Sequence, residues 1–133
     1  MKSHIVLPSI LLFLLMALAS RAQPGPSRKD LLQVLMKSQT LSRIEVKEIT
    51  MPAGQTAPKH SHPCPVVGYV SSGSVILQVE GEPKKVIRQG EAFYEPKDKV
   101  ILHFDNASQQ EPLVFIAFYL KEDQEDLIRL IDK

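Results

Sequence analysis

Between Met51 and Pro96 the chain never runs more than seven residues without a glycine or a proline. A proline inside a helix removes a hydrogen bond and clashes with the preceding turn, and a glycine there costs backbone entropy, so this region has no room for long helices. The intervals suit short strands. Ile44 to Met51, IEVKEITM, alternates apolar and polar residues with one slip at Lys47-Glu48, which reads as a strand with room for a bulge. Val66 to Val70 is a short apolar strand. Ser74 to Glu80, SVILQVE, places Val75, Leu77 and Val79 on one face, and Gly81-Glu82-Pro83 closes a hairpin into Lys84 to Arg88. Ala92 to Tyr94 and Val100 to Phe104 follow. Leu113 to Leu120, LVFIAFYL, is a continuous apolar run expected to be buried on both faces. Some seven short strands with turn residues between them predict an all-β sandwich or barrel.

The two ends read differently. Lys2 precedes an uncharged apolar run from Ile5 to Ala19, followed by the small-residue cleavage patterns Ala17-Leu18-Ala19 and Ser20-Arg21-Ala22. This is the pattern of a secretory signal peptide over residues 1–22, and it predicts a periplasmic or secreted protein cleaved after Ala19 or Ala22. A run of fifteen residues broken by Pro8 is short of the roughly 20 that cross a bilayer, so no stable membrane anchor is expected after signal removal. Residues 23–42 form an N-terminal linker or arm. Its QPGPS start reads as disordered, and DLLQVLM from Asp30 to Met36 suits either a short helix or an outer strand. The core domain spans residues 43–121. In residues 122–133 the stripe of Leu127, Leu130 and Ile131, with acidic residues ahead of it, predicts a short C-terminal helix covering a sheet edge or a barrel opening.

Charge and cysteine content exclude some partners. Without residues 1–22 the chain has 14 basic and 15 acidic side chains, with no basic stripe, so nucleic acid is not an expected partner. Cys64 is the single cysteine, so packing, or a metal, must supply what disulfides supply in many exported domains.

Apart from His4, the histidines are His60, His62 and His103. In an extended backbone residues 60, 62, 64 and 66 share a face, so His60 and His62 stand in one row with Cys64 and Val66 and have the spacing to chelate one divalent cation. Their framing carries more weight than the pair. Gly54, five residues, His60, one residue and His62 lead on to Gly73, and Gly90, five residues and Pro96 lead on to His103 and Asn106.

This arrangement resembles the small single-domain cupins. Their first motif runs G-x5-H-x-H-x3-4-E-x6-G, matched here from Gly54 to Gly73. Their second runs G-x5-P-x-G-x2-H-x3-N, matched by Gly90 and Pro96, with Asp98 in place of the usual glycine and slightly altered spacing to His103 and Asn106. The resemblance implies an all-β, single-domain cupin, a jelly-roll-like β-barrel with a short C-terminal helix. It also implies a divalent transition metal (iron, manganese, zinc or nickel) held by His60, His62 and His103. The family's glutamate ligand falls at Val66, which leaves three neutral imidazoles to hold the ion's charge. Cys64 lies in the same row as a candidate substitute, although a small buried filler is the commoner role of such a cysteine. Glu91 and Tyr94, with Glu95, are candidates of lower rank for the pocket or its surroundings, since charged residues beside a turn are mostly solvated. Asn106 is expected to order the turn after the His103 strand.

Beyond a third and weakest option, metal-dependent isomerisation or lyase chemistry on a sugar or keto acid, two functions remain open at this level. One is a non-haem dioxygenase-like enzyme acting on a small anionic substrate. The other is a metal-free cupin that binds or senses a small molecule, a reading motivated by Val66. A homodimer is expected by analogy with proteins of this kind.

Overall fold

The computed structural model describes residues 23–123 and 126–131. The signal segment expected over 1–22 lies outside the described residues. Among the described residues nine strands form two antiparallel sheets: β1 (Arg43–Met51), β2 (His60–Ser61), β3 (Val66–Ser72), β4 (Ser74–Val79), β5 (Lys85–Arg88), β6 (Ala92–Glu95), β7 (Ile101–Asn106), β8 (Leu113–Lys121) and β9 (Arg129–Leu130). One sheet has the order β1-β8-β3-β6 and the other β5-β4-β7-β2-β9. Among the described residues no helix is long and apolar enough to cross a membrane.

The alternation read from the sequence decides which side chains enter the core. Val66 and Val70, Val75, Leu77 and Val79, Phe93, Ile101 and Phe104, and Leu113, Phe115, Ala117 and Tyr119 are all buried between the sheets. The rings of Phe93, Phe104 and Phe115 meet with centroids 5.0 to 5.9 Å apart. Gly68 makes room for them, since a Cβ there would lie 1.9 Å from Phe93 Cζ. Asn106 is buried and ties two loops together, donating from Nδ2 to the carbonyls of Met51, Pro52 and Glu111 at 2.9 to 3.3 Å and accepting from the Ser108 amide at 2.9 Å.

Four expectations are corrected. β1 pairs with β8 without interruption from Arg43↔Lys121 to Met51↔Leu113, so it carries no bulge. The register shifts lie elsewhere, at Val70/Ser72 in the β3–β8 pair and at Gln78/Val79 in the β4–β7 pair. β8 is buried on one face only, and Phe118 on the other face is 37% exposed. The segment from Asp30 to Met36 forms neither helix nor strand. No helix forms among the described residues of the C-terminal segment either. Arg129–Leu130 pairs with β2 instead, through His60↔Leu130 and Ser61↔Arg129, and the Ile131 amide donates to the Lys59 carbonyl at 3.0 Å. A helix of about ten residues has little stability of its own in water, and the unpaired edge of β2 offers this segment backbone partners.

Candidate metal centre

His60 opens the short β2 and His62 follows it, just before the chain bends at Pro63-Cys64 on its way to β3, and both histidines are buried. His60 and His62 are 4% and 5% exposed, with ring centroids 5.0 Å apart in an edge-on arrangement. Each Nδ1 is fixed by a backbone carbonyl: that of His60 donates to Pro58 O at 2.7 Å and that of His62 to Leu127 O at 2.5 Å. A neutral imidazole with its proton on Nδ1 presents a bare lone pair at Nε2. Both Nε2 atoms face the carboxylate of Glu95, His60 at 3.8 Å from Oε1 and His62 at 3.3 Å from Oε2.

The carboxylate comes from β6. Phe93 points into the core, so period-two alternation sends Glu95 the same way, and it is only 3% exposed. Its directly paired residue across the sheet is Val66, the position at which the first cupin motif has its glutamate. Directly opposed residues in an antiparallel pair project to the same face with Cβ atoms about 5 Å apart. The carboxylate that Val66 lacks is therefore supplied from the neighbouring strand.

The electrostatics of the cluster are those of three acceptor groups held close together. His60 Nε2, His62 Nε2 and a Glu95 oxygen lie within 4.8 Å of one another. All three are acceptors when the rings are neutral. Glu95 Oε1 is buried without a hydrogen-bond partner, which costs free energy unless a cation or proton satisfies it. For His62, burial is the largest influence and disfavours the charged ring. The hydrogen bond to Glu95, its charge and the Leu127 carbonyl together outweigh that and hold the pKa above its ordinary value. For His60, burial prevails over the Pro58 carbonyl and Glu95 and pushes the pKa down. Two imidazoles and one carboxylate form the donor set that first-row transition metals accept in open, facially ligated sites, so these residues fit such an ion.

His103 stands outside this group. Its side chain is 41% exposed, and Nδ1 donates to Asp105 Oδ2 at 2.8 Å on the outer face of β7. The reason is visible in the loop ahead of it. Asp98 has φ of 59°, the left-handed conformation usually given to glycine, and so occupies the glycine position of the second motif. Counting the motif's two spacer residues from Asp98 arrives at Ile101, which is fully buried and paired with His60. An apolar side chain thus fills the place of the family's last histidine. The shift in the β4–β7 register then turns His103 outward.

Cys64 and Val66 are buried at 2% and 1% exposure, and Cys64 lies near enough to Tyr119 to contribute to its pKa shift. Glu91 is at the turn before β6, where it accepts from the Arg88 amide at 2.7 Å, and Tyr94 faces outward toward the arm residues Val34 to Met36. Neither reaches the centre. Glu95 was detectable in the sequence by alternation from Phe93.

A cavity of about 240 Å3 opens beside the cluster, lined by Ile49, Met51, Gln55, Ala57, Pro58, Phe104, Phe115, Ala117, Tyr119 and Ile128 together with His60, His62 and Glu95. The Tyr119 ring lies 5.9 Å from that of His62, and burial, assisted by the Glu95 charge, pushes its hydroxyl pKa up to about 12.

Comparison with known proteins agrees with this architecture. The structure is similar to that of the DMSP lyase DddQ from Ruegeria pomeroyi DSS-3, with 22% identity and a TM-score of 0.57 over 65% of this chain and 42% of the lyase. It is similar to a cupin-like protein from Thermotoga maritima, at 23% identity and a TM-score of 0.56 over 66% of this chain and 64% of the other. An oxalate oxidase in complex with the substrate analogue glycolate matches at 19% identity and a TM-score of 0.57, over 66% of this chain and 46% of the oxidase. The chain spans less than two thirds of each of these proteins, and at such identities the likeness concerns the fold. No curated protein matches the chain in sequence. The sequence profile of the cupin domain matches residues 47–119, more than half of the chain. The chain belongs to the cupin family.

Proposed function

We propose that this protein is a metal-dependent cupin enzyme of the non-haem dioxygenase kind, with a divalent transition metal, iron(II) foremost, held by His60, His62 and Glu95, and a small organic acid as substrate. The observation that carries the reading is the convergence of three acceptor groups on one point, with Glu95 Oε1 buried and unpartnered. Iron held by these residues would supply Lewis acidity and the capacity to activate oxygen. The chain's own residues hold and shield the site. The Pro58 and Leu127 carbonyls fix the imidazole tautomers, Phe104 and Phe115 keep the cavity wall apolar, and Tyr119 stays protonated as a donor for an anionic oxygen. The oxalate oxidase among the structural neighbours, in complex with the substrate analogue glycolate, acts by its name on a small organic acid, which is consistent with this substrate class.

Metal content of protein purified without a polyhistidine tag, wild type against Glu95→Gln, tests the proposal. Near-stoichiometric metal in the wild type and little in the variant is expected. Less than about a tenth of an equivalent in the wild type under iron or zinc repletion would sink it. Ile101 in the position of the last family ligand favours a second reading, a metal-free binding module. That reading predicts ligand-induced thermal stabilisation unaffected by a chelator. We also read residues 1–22 as an export signal, supported by the charged start, apolar run and small-residue cleavage patterns. A mature protein beginning at neither Ser20 nor Gln23 would contradict this.

A further inference from the structure

The wall of the cavity restricts what can bind beside the metal. Among the described residues no lysine or arginine lines it. Lys121, the buried lysine nearest in sequence to Tyr119, has its Nζ on Glu45 Oε1 at 3.0 Å, and Arg129 is paired with Asp98 at 3.2 Å. Apart from the three ligand residues, the polar lining is Gln55 and the neutral hydroxyl of Tyr119. Everything else is aliphatic or aromatic.

Charge counting, resting on the metal centre proposed above, then selects the ligand's head group. A divalent ion with one carboxylate ligand carries a net charge of +1. A monoanion brings the site to neutrality, whereas a dianion leaves an uncompensated negative charge in a mostly apolar cavity with no cationic side chain, which is disfavoured. Cavity size selects the rest. About 240 Å3 exceeds the roughly 150 Å3 that admits benzene and falls short of the roughly 300 Å3 at which drug-sized pockets begin. Ala117 provides part of this room. It is the small residue between Phe115 and Tyr119 in the inward row of β8, it is 1% exposed, and its β3 partner is Gly68. We infer that the site takes a monoanionic bidentate oxygen chelator with a short apolar tail, the chemistry of a medium-chain 2-oxo or 2-hydroxy acid, and discriminates against compact dianions such as oxalate. The head binds the metal, and the tail lies along Ala117, Phe115, Phe104 and Met51.

The test uses the full mature chain loaded with cobalt(II), whose visible absorption reports chelation, with calorimetry for affinity. Acetohydroxamate, butyrohydroxamate and hexanohydroxamate serve as monoanionic bidentate probes of increasing tail length, and oxalate as the compact dianion. Affinity is expected to rise about fourfold per methylene along the series, and oxalate to bind more weakly than hexanohydroxamate. In Ala117→Leu the gain is expected to stop at a shorter chain, with Ala117→Val as the milder change should the leucine variant fail to fold. Cobalt binding with no dependence on tail length, or with oxalate as the tightest ligand, overturns this inference and leaves the metal centre standing. An unchanged length limit in a folded Ala117 variant overturns the placement of the tail. Failure of cobalt to bind, seen before any probe is added, overturns the metal centre and this inference with it.

Discussion

Replacing Glu95 by glutamine separates a metal ligand from a structural partner of His62. In the metal-free protein Oε1 is buried and unpartnered, a loss of about 1–3 kcal/mol for a polar group taken from water. Glutamine removes the buried charge, and its amide can donate to the His62 lone pair that the carboxylate faces at 3.3 Å. At a pH above the His62 pKa, where the ring is neutral and no longer gains from the carboxylate charge, the metal-free variant should therefore match the wild type, or exceed it by about 1 kcal/mol, a rise of roughly 4 °C in melting temperature for a domain of this size. Metal should reverse the order. At a hundredfold excess over its Kd an ion stabilises the native state by about 2.7 kcal/mol, roughly 10 °C, and the variant should lose most of that gain. The assay is thermal unfolding followed by circular dichroism, with EDTA and with iron(II) or cobalt(II). A purely structural ion pair predicts the opposite: loss of about 3–5 kcal/mol without metal, and no metal effect in either protein. That second pattern would exclude Glu95 as a metal ligand.

Other consequences follow from the same geometry. The raised pKa of His62 contributes stability that is complete below its unfolded value near 6.5 and is lost as pH rises through the folded pKa; the lowered pKa of His60 costs stability as pH falls below 6.5. Metal-free protein should thus be most stable near pH 6.5, and metal binding should strengthen as pH rises above it, both measurable by unfolding and metal titration across pH 5 to 9. Truncation after Glu122 removes β9 and the Leu127 carbonyl that orients His62, and metal affinity should fall by about 10–100-fold while unfolding stays cooperative; an unchanged affinity counts against the anchoring role. His103→Ala should leave metal content intact and shift stability by no more than about 1–2 kcal/mol, because the ring is 41% exposed while its partner Asp105 is 14% exposed. Gly68→Ala should destabilise the barrel by about 1–3 kcal/mol or more in chemical denaturation, since its Cβ falls on the Phe93 ring.

The all-β, short-stranded fold was legible because its signals are local. Turn residues and two-residue alternation mark where a strand stops and which face it buries, and neither requires knowledge of its partners. His60 and His62 were legible for the same reason, being two residues apart on one short strand. Glu95 belongs to the same period as Phe93, yet only the pairing of β6 with β3 reveals that it opposes Val66 and meets the histidines. His103 misled because a histidine two residues beyond the motif's position attracts attention, while the left-handed backbone at Asp98, which fixes the count on Ile101, is a conformational fact. The C-terminal stripe of Leu127, Leu130 and Ile131 has helical spacing, and tertiary pairing with the free edge of β2 overrides it.

The central claim is that His60, His62 and Glu95 bind one ion together. Anomalous diffraction from crystals of the metal-loaded protein, recorded on both sides of the metal's absorption edge, addresses it directly. Joint ligation gives a single strong peak about 2.0–2.2 Å from both Nε2 atoms and a Glu95 oxygen, with Ile101 outside the coordination sphere. A peak at His103 and Asp105, or none in the cavity of metal-replete protein, would contradict it.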